Sequence, residues 1–372
     1  MKITDTEKDN AVKRKFSIRA FTPDDIEAVV DMSRIHFPQC SLVSPGYLYE
    51  TIDELYFKET LKIEGINSLV SVDENEVING FLGVTPKPYL YQGEKVLGAL
   101  CNHLMASDEA RAALVPMRLL QEFLSGPQVF SFADGSVEST RLLWKRLGGE
   151  PSYSNSVYYK VPLRPMSFGT RPFQSHLPSS LRSSIQKISY GADFLFGVAR
   201  LPLSYRIRPD LTLKPIETDG ILTGLARVWK YFKLIPDISK KELSKLFELL
   251  DKDPRNGNLH KIGIWNKREV LIGWFIYYSS KGGVCEVMQA VSLPGKEAEL
   301  FESITWHAFS QGGTELSGRA LPSQIGTPFT TKSFSMPGRM WTLFHSKNDE
   351  ICRALQSDGA FLTRIEGDLW LI

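Results

Sequence analysis

The stretch "DGSVESTRLLWKRLGG", residues 134–149, decides the fold. Val137, Leu142, Leu143 and Leu147 recur at helical spacing and predict one buried face. Gly148 and Gly149 stop the helix, because glycine takes the left-handed conformation of a C-terminus at little steric cost. Ser136 or Ser139 is the expected N-cap, and Glu138 favours the positive end of the helix. The preceding "QVFSFADG" reads as a short buried strand. A strand, a tight turn and a helix follow one another, with Trp144 one turn before the stop.

Working back towards the N-terminus, "FSIRAF" is a short alternating strand. In "TPDDIEAVVDMSRIHF", Thr22 is a good N-cap, Pro23 suits the first helical position, and Asp24 and Asp25 favour the helix start. Ile26, Val29, Val30 and Met32 line its buried side. "PGYLYETIDELYF" predicts a second helix. "INSLVSVDENEVINGFLGVTPKPYLY" reads as a hairpin turning at Asp73-Glu74-Asn75. "GEKVLGALCNHLMAS" is a further strand, and "DEARAALVPMRLLQEFLSG" a helix. Past the opening stretch, "SNSVYYKVPL" is an alternating strand expected to close this unit.

Residues 164–205 are rich in Pro, Ser and Arg and read as a linker with a helix around residues 179–190. The second half then repeats the order of the first. "DLTLKPIE" is a strand, followed by helices in "DGILTGLARVWKYFK" and "SKKELSKLFELLDKD". Three strands turn at Asn266-Lys267 and Lys281-Gly282-Gly283. "GKEAELFESITWHAFSQGG" is a helix and "TELSGRAL" a strand. The end holds "RMWTLFHS", a helix "NDEICRALQS" and a last strand "TRIEGDLWLI". This is one domain type used twice.

Composition narrows the function. The 372 residues are 42% hydrophobic, enough for proper cores. A formal net charge of +2, from 44 basic and 42 acidic residues, gives no field to steer a polyanion, which argues against a nucleic-acid partner. Cys40, Cys101, Cys285 and Cys352 lie far apart, so no metal-ligand spacing is present and reduced thiols in a cytoplasmic protein are expected. The polar start, "MKITDTEKDNAVKRK", lacks the apolar core of a secretory signal. No run of about 18 apolar residues predicts membrane insertion.

The order of elements, ending in "LLWKRLGG", resembles the GCN5-related N-acetyltransferase (GNAT) superfamily. The resemblance covers most of residues 15–163 and, more weakly, residues 208–372. Two such units, with "VPLRP" after the first and a terminal "GDLWLI", look like bacterial tandem acetyltransferase-like proteins, some of which accompany polysaccharide biosynthesis. The fold class implied is α/β, with two tandem acyl-CoA N-acyltransferase-like domains. Each would be a mixed, mostly antiparallel sheet flanked by helices. Residues 1–14 would be a disordered tail, 15–163 the N-terminal domain, 164–205 the linker and 206–372 a degenerate C-terminal domain.

The resemblance also implies a site. In that family an acyl-CoA thioester lies where the fourth and fifth strands splay apart, and a fourth-strand N–H polarises its carbonyl. Residues 97–106 take the fourth strand's place, so the backbone of Leu104, Met105 and Ala106 would face the thioester, with Leu104 stabilising the oxyanion. The family's pyrophosphate loop carries Arg or Gln, two spacers, Gly, a spacer, and Gly or Ala. Here it falls on Arg111, Ala112, Ala113, Leu114, Val115 and Pro116. Arg111 matches; Leu114 and Pro116 depart, adding a side chain and removing an N–H donor. The family's thiolate-protonating Tyr falls on Trp144, whose indole cannot act as a general acid near neutral pH. The co-substrate implied is acetyl-CoA or another acyl-CoA, without a metal, and the partner is a small-molecule acceptor.

Beside these stand candidates read from the residues. His103 shares a strand face with Cys101, with Asn102 pointing away, and is either the base that deprotonates an amine or a satisfied core histidine. Asp134 and Ser136 either position substrate at a strand end or form a plain turn with a cap. Glu286 and Gln289 lie on a central strand of the second half, where Glu286 either binds an amine or pairs with a surface lysine. Three functions follow. The first is acyl transfer from acyl-CoA to an amine or hydroxyl of a small molecule, such as an amino sugar or cell-envelope precursor. The second is an aminoacyl-transferase of the cell-wall peptide-adding type, which needs a basic tRNA surface. The third is a non-catalytic binding or scaffold protein. Oligomeric state is open.

Overall fold

The computed structural model describes residues 16–58, 63–174, 181, 184, 185, 187–189, 191–193 and 208–367. The tail expected over residues 1–14 lies outside them. The first half runs β1 (Ser17–Ala20), α1 (Ile26–His36), α2 (Pro45–Asp53), β2 (Leu69–Val72), β3 (Ile78–Tyr91) and β4 (Glu94–Ala106). It continues with α3 (Asp108–Ala112), α4 (Val115–Leu124), β5 (Phe130–Ser136), α5 (Glu138–Arg146), β6 (Glu150–Pro151) and β7 (Val157–Pro162). Then come α6 (Pro165–Gln174), β8 (Leu211–Pro215), α7 (Thr218–Val228), β9 (Leu234–Pro236) and α8 (Lys240–Asp251). The remainder is β10 (Asn258–Asn266), β11 (Leu271–Ser279), β12 (Val284–Ser292), α9 (Glu297–Ser310), β13 (Glu315–Arg319), α10 (Pro328–Thr331), β14 (Phe334–Pro337), β15 (Trp341–Ser346) and α11 (Asp349–Gln356).

Local chemistry explains most boundaries. Thr22 and Asp25 form a capping box at a short turn leading into α1. The Asp73 carboxylate accepts from the N–H groups of Asn75 and Val77, which closes the β2–β3 turn where it was expected. Ser239 and Glu242 form a second capping box at α8. Where α5 ends, Gly148 adopts φ 85°, and the N–H groups of Gly149 and Gly148 bond back to the carbonyls of Trp144 and Lys145. That pair of bonds satisfies two orphan carbonyls of the last turn.

Two mostly antiparallel sheets result. One has eight strands in the order β1-β2-β3-β4-β5-β15-β6, with β9 added against the end of β3. The other has seven, in the order β14-β7-β13-β12-β11-β10-β8. The halves exchange strands. β7, expected to close the first unit, pairs instead with β13 and β14. In return, β15 of the second half lies between β5 and β6 of the first sheet. One shared core follows: Tyr89, Leu100, Phe130 and Phe132 pack with Leu234, Phe344, Ile351 and Leu355.

The helix of the opening stretch buries only part of the predicted face: Leu143 and Leu147 pack against the core, half-buried. Val137 and Leu142 are 55% and 47% exposed, whereas Trp144 is wholly buried and meets Phe123 edge-on. Val137 is the N-cap residue, without a side-chain cap bond, so neither Ser136 nor Ser139 caps α5. At the other end, Thr363–Gly367 form a bend and turn, not the expected strand; residues 368–372 lie outside the described set. Among the described residues, no helix is long and apolar enough to cross a membrane.

The sheets are tied by charge. Asp134 on β5 pairs with Arg319 on β13, both side chains being almost fully buried. Arg319 also donates to Thr342 on β15 at 2.6 Å and to the Leu362 carbonyl at 3.3 Å. Removing one partner of a buried pair strands the other charge away from water, which is worse than losing both. Arg319→Met is therefore expected to lower the unfolding free energy by about 3–5 kcal/mol in urea titrations. The double variant Asp134→Asn, Arg319→Met should lose less; an equal or larger loss contradicts this account.

Candidate functional site

One extra residue in β4 shapes the site. The β3–β4 register runs Gly80↔Ala106 and Phe81↔Met105, then jumps to Gly83↔Asn102. His103 and Leu104 thus oppose Leu82 alone, and His103 takes φ 53°. Such a bulge bends its strand and re-aims side chains. Beyond it β4 leaves β5. Their parallel pairing covers Gly98↔Phe130, Ala99↔Ser131 and Leu100↔Phe132 and then stops. β5 continues to Ser136, held on its far side by β15. Between Cys101–Ala106 and Ala133–Ser136 the ladder is open, so main-chain groups face a wedge instead of a partner strand.

The bulge overturns the predicted alternation of β4. Cys101 joins the core beneath α4, as a small apolar side chain. Asn102 and His103, expected on opposite faces, both reach Tyr56. The Tyr56 hydroxyl donates to Asn102 Oδ1 at 2.7 Å and lies 2.8 Å from His103 Nδ1. A hydroxyl has one proton; with that proton on Asn102, Nδ1–H of His103 must be the donor to Tyr56. Gly83 makes room for this cluster. A Cβ there would sit 2.1 Å from the Tyr56 hydroxyl and 2.4 Å from Asn102 Oδ1. His103 also packs edge-on against Phe37 and Tyr56. Burial, aided by the charge of Arg255, pushes its pKa down to about 3.

The opposite side of the wedge belongs to α3, α4 and α5. Ser107 caps α3 by accepting from the Ala110 N–H at 3.2 Å. Arg111 is exposed, pairs with Asp108 at 3.4 Å and lies 3.1 Å from His36 Nδ1. Ala112 and Ala113 are exposed as well. Leu114 is the N-cap residue of α4 and adopts φ 58°, ψ 25°. That left-handed conformation is one glycine adopts freely and leucine rarely, and the Leu114 side chain is 53% exposed. Val115 is buried, Leu104 is half-buried, and Met105 and Ala106 are buried. The Trp144 indole N–H, in the core beneath β4, has no hydrogen-bond partner among the described residues.

The substrate candidates have structural neighbours. Asp134 is engaged by Arg319 and Thr342, and Ser136 ends β5 opposite Trp341. Glu286 pairs with the buried Arg364 rather than a surface lysine. Gln289 accepts from the Trp274 indole at 2.7 Å and donates to Thr363 at 3.1 Å. These last two sit at a second version of the same device. The β11–β12 register shifts between Ile276↔Gln289 and Tyr277↔Val287, leaving Met288 as the extra residue. β12 and β13 pair only from Val284↔Glu315 to Glu286↔Ser317. Here the opening is closed by the chain itself. Gln324 donates to the Ala290 carbonyl at 2.8 Å, and the Arg364 N–H to the Met288 carbonyl at 3.2 Å.

Sequence reasoning missed Tyr56, Gly83, Arg319 and Arg364. Gly83 carried a signal, because a lone glycine inside a strand pattern marks a bulge or a close approach. Tyr56 carried none, since its partners are remote in sequence.

No family model and no curated protein matches the sequence. Solved structures do. A probable N-acyltransferase of Enterococcus faecalis V583 aligns with TM-score 0.56 and 9% identity, over 89% of this chain and 73% of that one. A GCN5-related N-acetyltransferase of Anabaena variabilis gives 0.56 and 12%, over 90% and 74%. N-myristoyltransferase of Saccharomyces cerevisiae, solved with myristoyl-CoA and inhibitors, gives 0.54 and 13%, over 100% and 91%. The chain has the GNAT fold, in an α/β arrangement of two mostly antiparallel sheets flanked by helices.

The state of His103 is measurable. An unfolded histidine takes its proton near pH 6.5, folded His103 only near 3. Between those values the unfolded chain binds more protons, so stability is lost as pH falls through the window. His307, pushed down to about 4 by burial and by His260, acts with the same sign. The urea midpoint should drop from pH 7 to pH 5, and less so in His103→Gln. A His103 ring resonance that titrates near pH 6.5 would refute this.

Proposed function

We propose that the chain transfers an acyl group from acyl-CoA to an amine or hydroxyl of a small molecule, using the wedge between β4 and β5. The observation that supports it is the parting of β4 from β5 after Leu100↔Phe132, beside the left-handed N-terminus of α4, whereas at the matching break between β12 and β13 the carbonyls of Met288 and Ala290 are taken by Arg364 and Gln324. Of Leu104, Met105 and Ala106, those whose main-chain N–H points away from β3 would offer it to the thioester carbonyl, where negative charge develops during attack. The start of α4, with Arg111 beside it, would take the pyrophosphate, since unpaired N–H groups and the helix dipole favour anions there. The thioester supplies the activated acyl group; acetyl-CoA is the donor to test first.

The departures in the loop matter less than the sequence suggests. Pro116 stands in the first turn of α4, where its missing N–H would lack an intrahelical partner anyway. Leu114 keeps the backbone path of glycine at a cost of roughly 1–2 kcal/mol. His103, held neutral and far from a working pKa at pH 7, is a positioning residue that fixes Asn102 and Tyr56 at the rim. Trp144 is wholly buried and its indole is no acid, so solvent would supply the proton to the departing thiolate. Asp134, Glu286 and Gln289 serve the architecture.

Thermal shift with acetyl-CoA and longer acyl-CoA species tests this reading. Ligand at about a hundred times its Kd stabilises the folded state by about 2.7 kcal/mol. Leu114→Gly should tighten binding and Arg111→Ala weaken it. No shift with any acyl-CoA would leave the scaffold reading standing.

A further inference from the structure

A cavity of about 150 Å³ lies between the two halves, on the face of the first sheet that carries Asn102. Its walls are largely apolar, from Leu55, Leu100, Leu246, Leu249 and Ile365. Five charged side chains also reach it: Lys87, Asp237, Glu242, Lys245 and Glu366. Four of these are engaged. Asp237 pairs with Lys95 at 3.4 Å and Lys245 with Glu54 at 2.7 Å. Glu242 accepts from the Ser239 N–H at 2.8 Å, and Glu366 from the N–H and hydroxyl of Thr363. Lys87 is half-buried on β3, and its ammonium makes no hydrogen bond or ion pair among the described residues.

An ammonium has three donors and is costly to hold in apolar surroundings without acceptors. Burial accordingly lowers the Lys87 pKa, with Glu366 and Glu242 pulling the other way. Those carboxylates already serve backbone and hydroxyl donors, and burial raises the pKa of the Glu366 carboxyl. A ligand anion in contact with Lys87 would gain a charge-assisted hydrogen bond that none of the lining carboxylates makes. The cavity also adjoins the wedge. Leu100 ends the β4–β5 pairing, Asn102 belongs to the Tyr56 network, and Gly367 packs against Asp134.

We propose that this cavity holds the acceptor, a small molecule with an apolar body and a carboxylate that docks on Lys87. The word acceptor rests on the acyl-transfer reading; the carboxylate site itself does not. A ligand fixed by its anion at one end would direct its other end towards the opening of β4. An apolar cavity of this size takes a group about as large as benzene, so the body is a single ring or a short branched chain.

Calorimetry on the full chain without CoA tests the site, with isovalerate and its neutral isostere isovaleramide as probes. The acid should bind about tenfold or more tighter than the amide, as expected for a charge-assisted hydrogen bond. Lys87→Met, which keeps the stem but not the charge, should abolish that preference, and Lys87→Arg should retain most of it. Equal binding of acid and amide, no binding of either, or a preference that survives in Lys87→Met overturns the proposal. Acyl-CoA thermal shifts on the same variants separate the two claims. An acid preference that depends on Lys87 in a protein that binds no acyl-CoA keeps the carboxylate site and removes its role as acceptor pocket.

Discussion

An extra residue in one strand governs this molecule. A strand that alternates strictly would zip β4 against β5 along its full length. Placing His103 and Leu104 opposite Leu82 reverses the alternation and turns the strand away. Three features then follow together: the ladder ends at Leu100, Asn102 and His103 meet at one tyrosine, and the main chain of Leu104–Ala106 lacks a neighbour on one side. Histidine tolerates the left-handed conformation better than a β-branched residue would. The bond to Tyr56, admitted by the bare Gly83, holds it there.

The same distortion recurs at Met288, and the comparison shows how a duplicated element can diverge without losing its form. In the second sheet the exposed carbonyls are taken by Gln324 and Arg364, and the tail of the chain is stitched down through Glu286, Gln289 and Thr363. That stitched segment leads back to the first half, where Ile365, Glu366 and Gly367 wall the cavity beside Lys87. In one half the two strands part after Leu100; in the other the parting has become an anchor for a wall of the first.

Local signals in the sequence were legible and long-range ones were not. The capped start of α1, the Asp73 turn, the double glycine after α5 and the helices α7 to α9 all depend on neighbours a few residues away, and all appear where expected. Of the proposed site, the resemblance pointed to residues 104–106 and to the loop from Arg111; the left-handed turn at Leu114 was not foreseen, because only glycine advertises that conformation in a sequence. The bulge was not, because period-two reasoning has no means of counting an extra residue. Nor were the buried pairs of Asp134 with Arg319 and Glu286 with Arg364, whose members are brought together by topology alone. The buried side of α5 was half right: Leu143 and Leu147 face the core, but hydrophobic spacing favoured Val137 and Leu142 over the single large Trp144.

The strand exchange sets the order in which the molecule can be completed. During synthesis, β7 leaves the ribosome long before β13 and β14, the strands it will lie between. The first sheet likewise waits for β15, near the end of the chain, before β5 and β6 are joined. Neither half can finish alone, so the nascent chain carries unfilled sheet edges through most of its translation. Such edges invite pairing with other chains, which makes this a protein whose yield depends on what shields it before its last strands arrive.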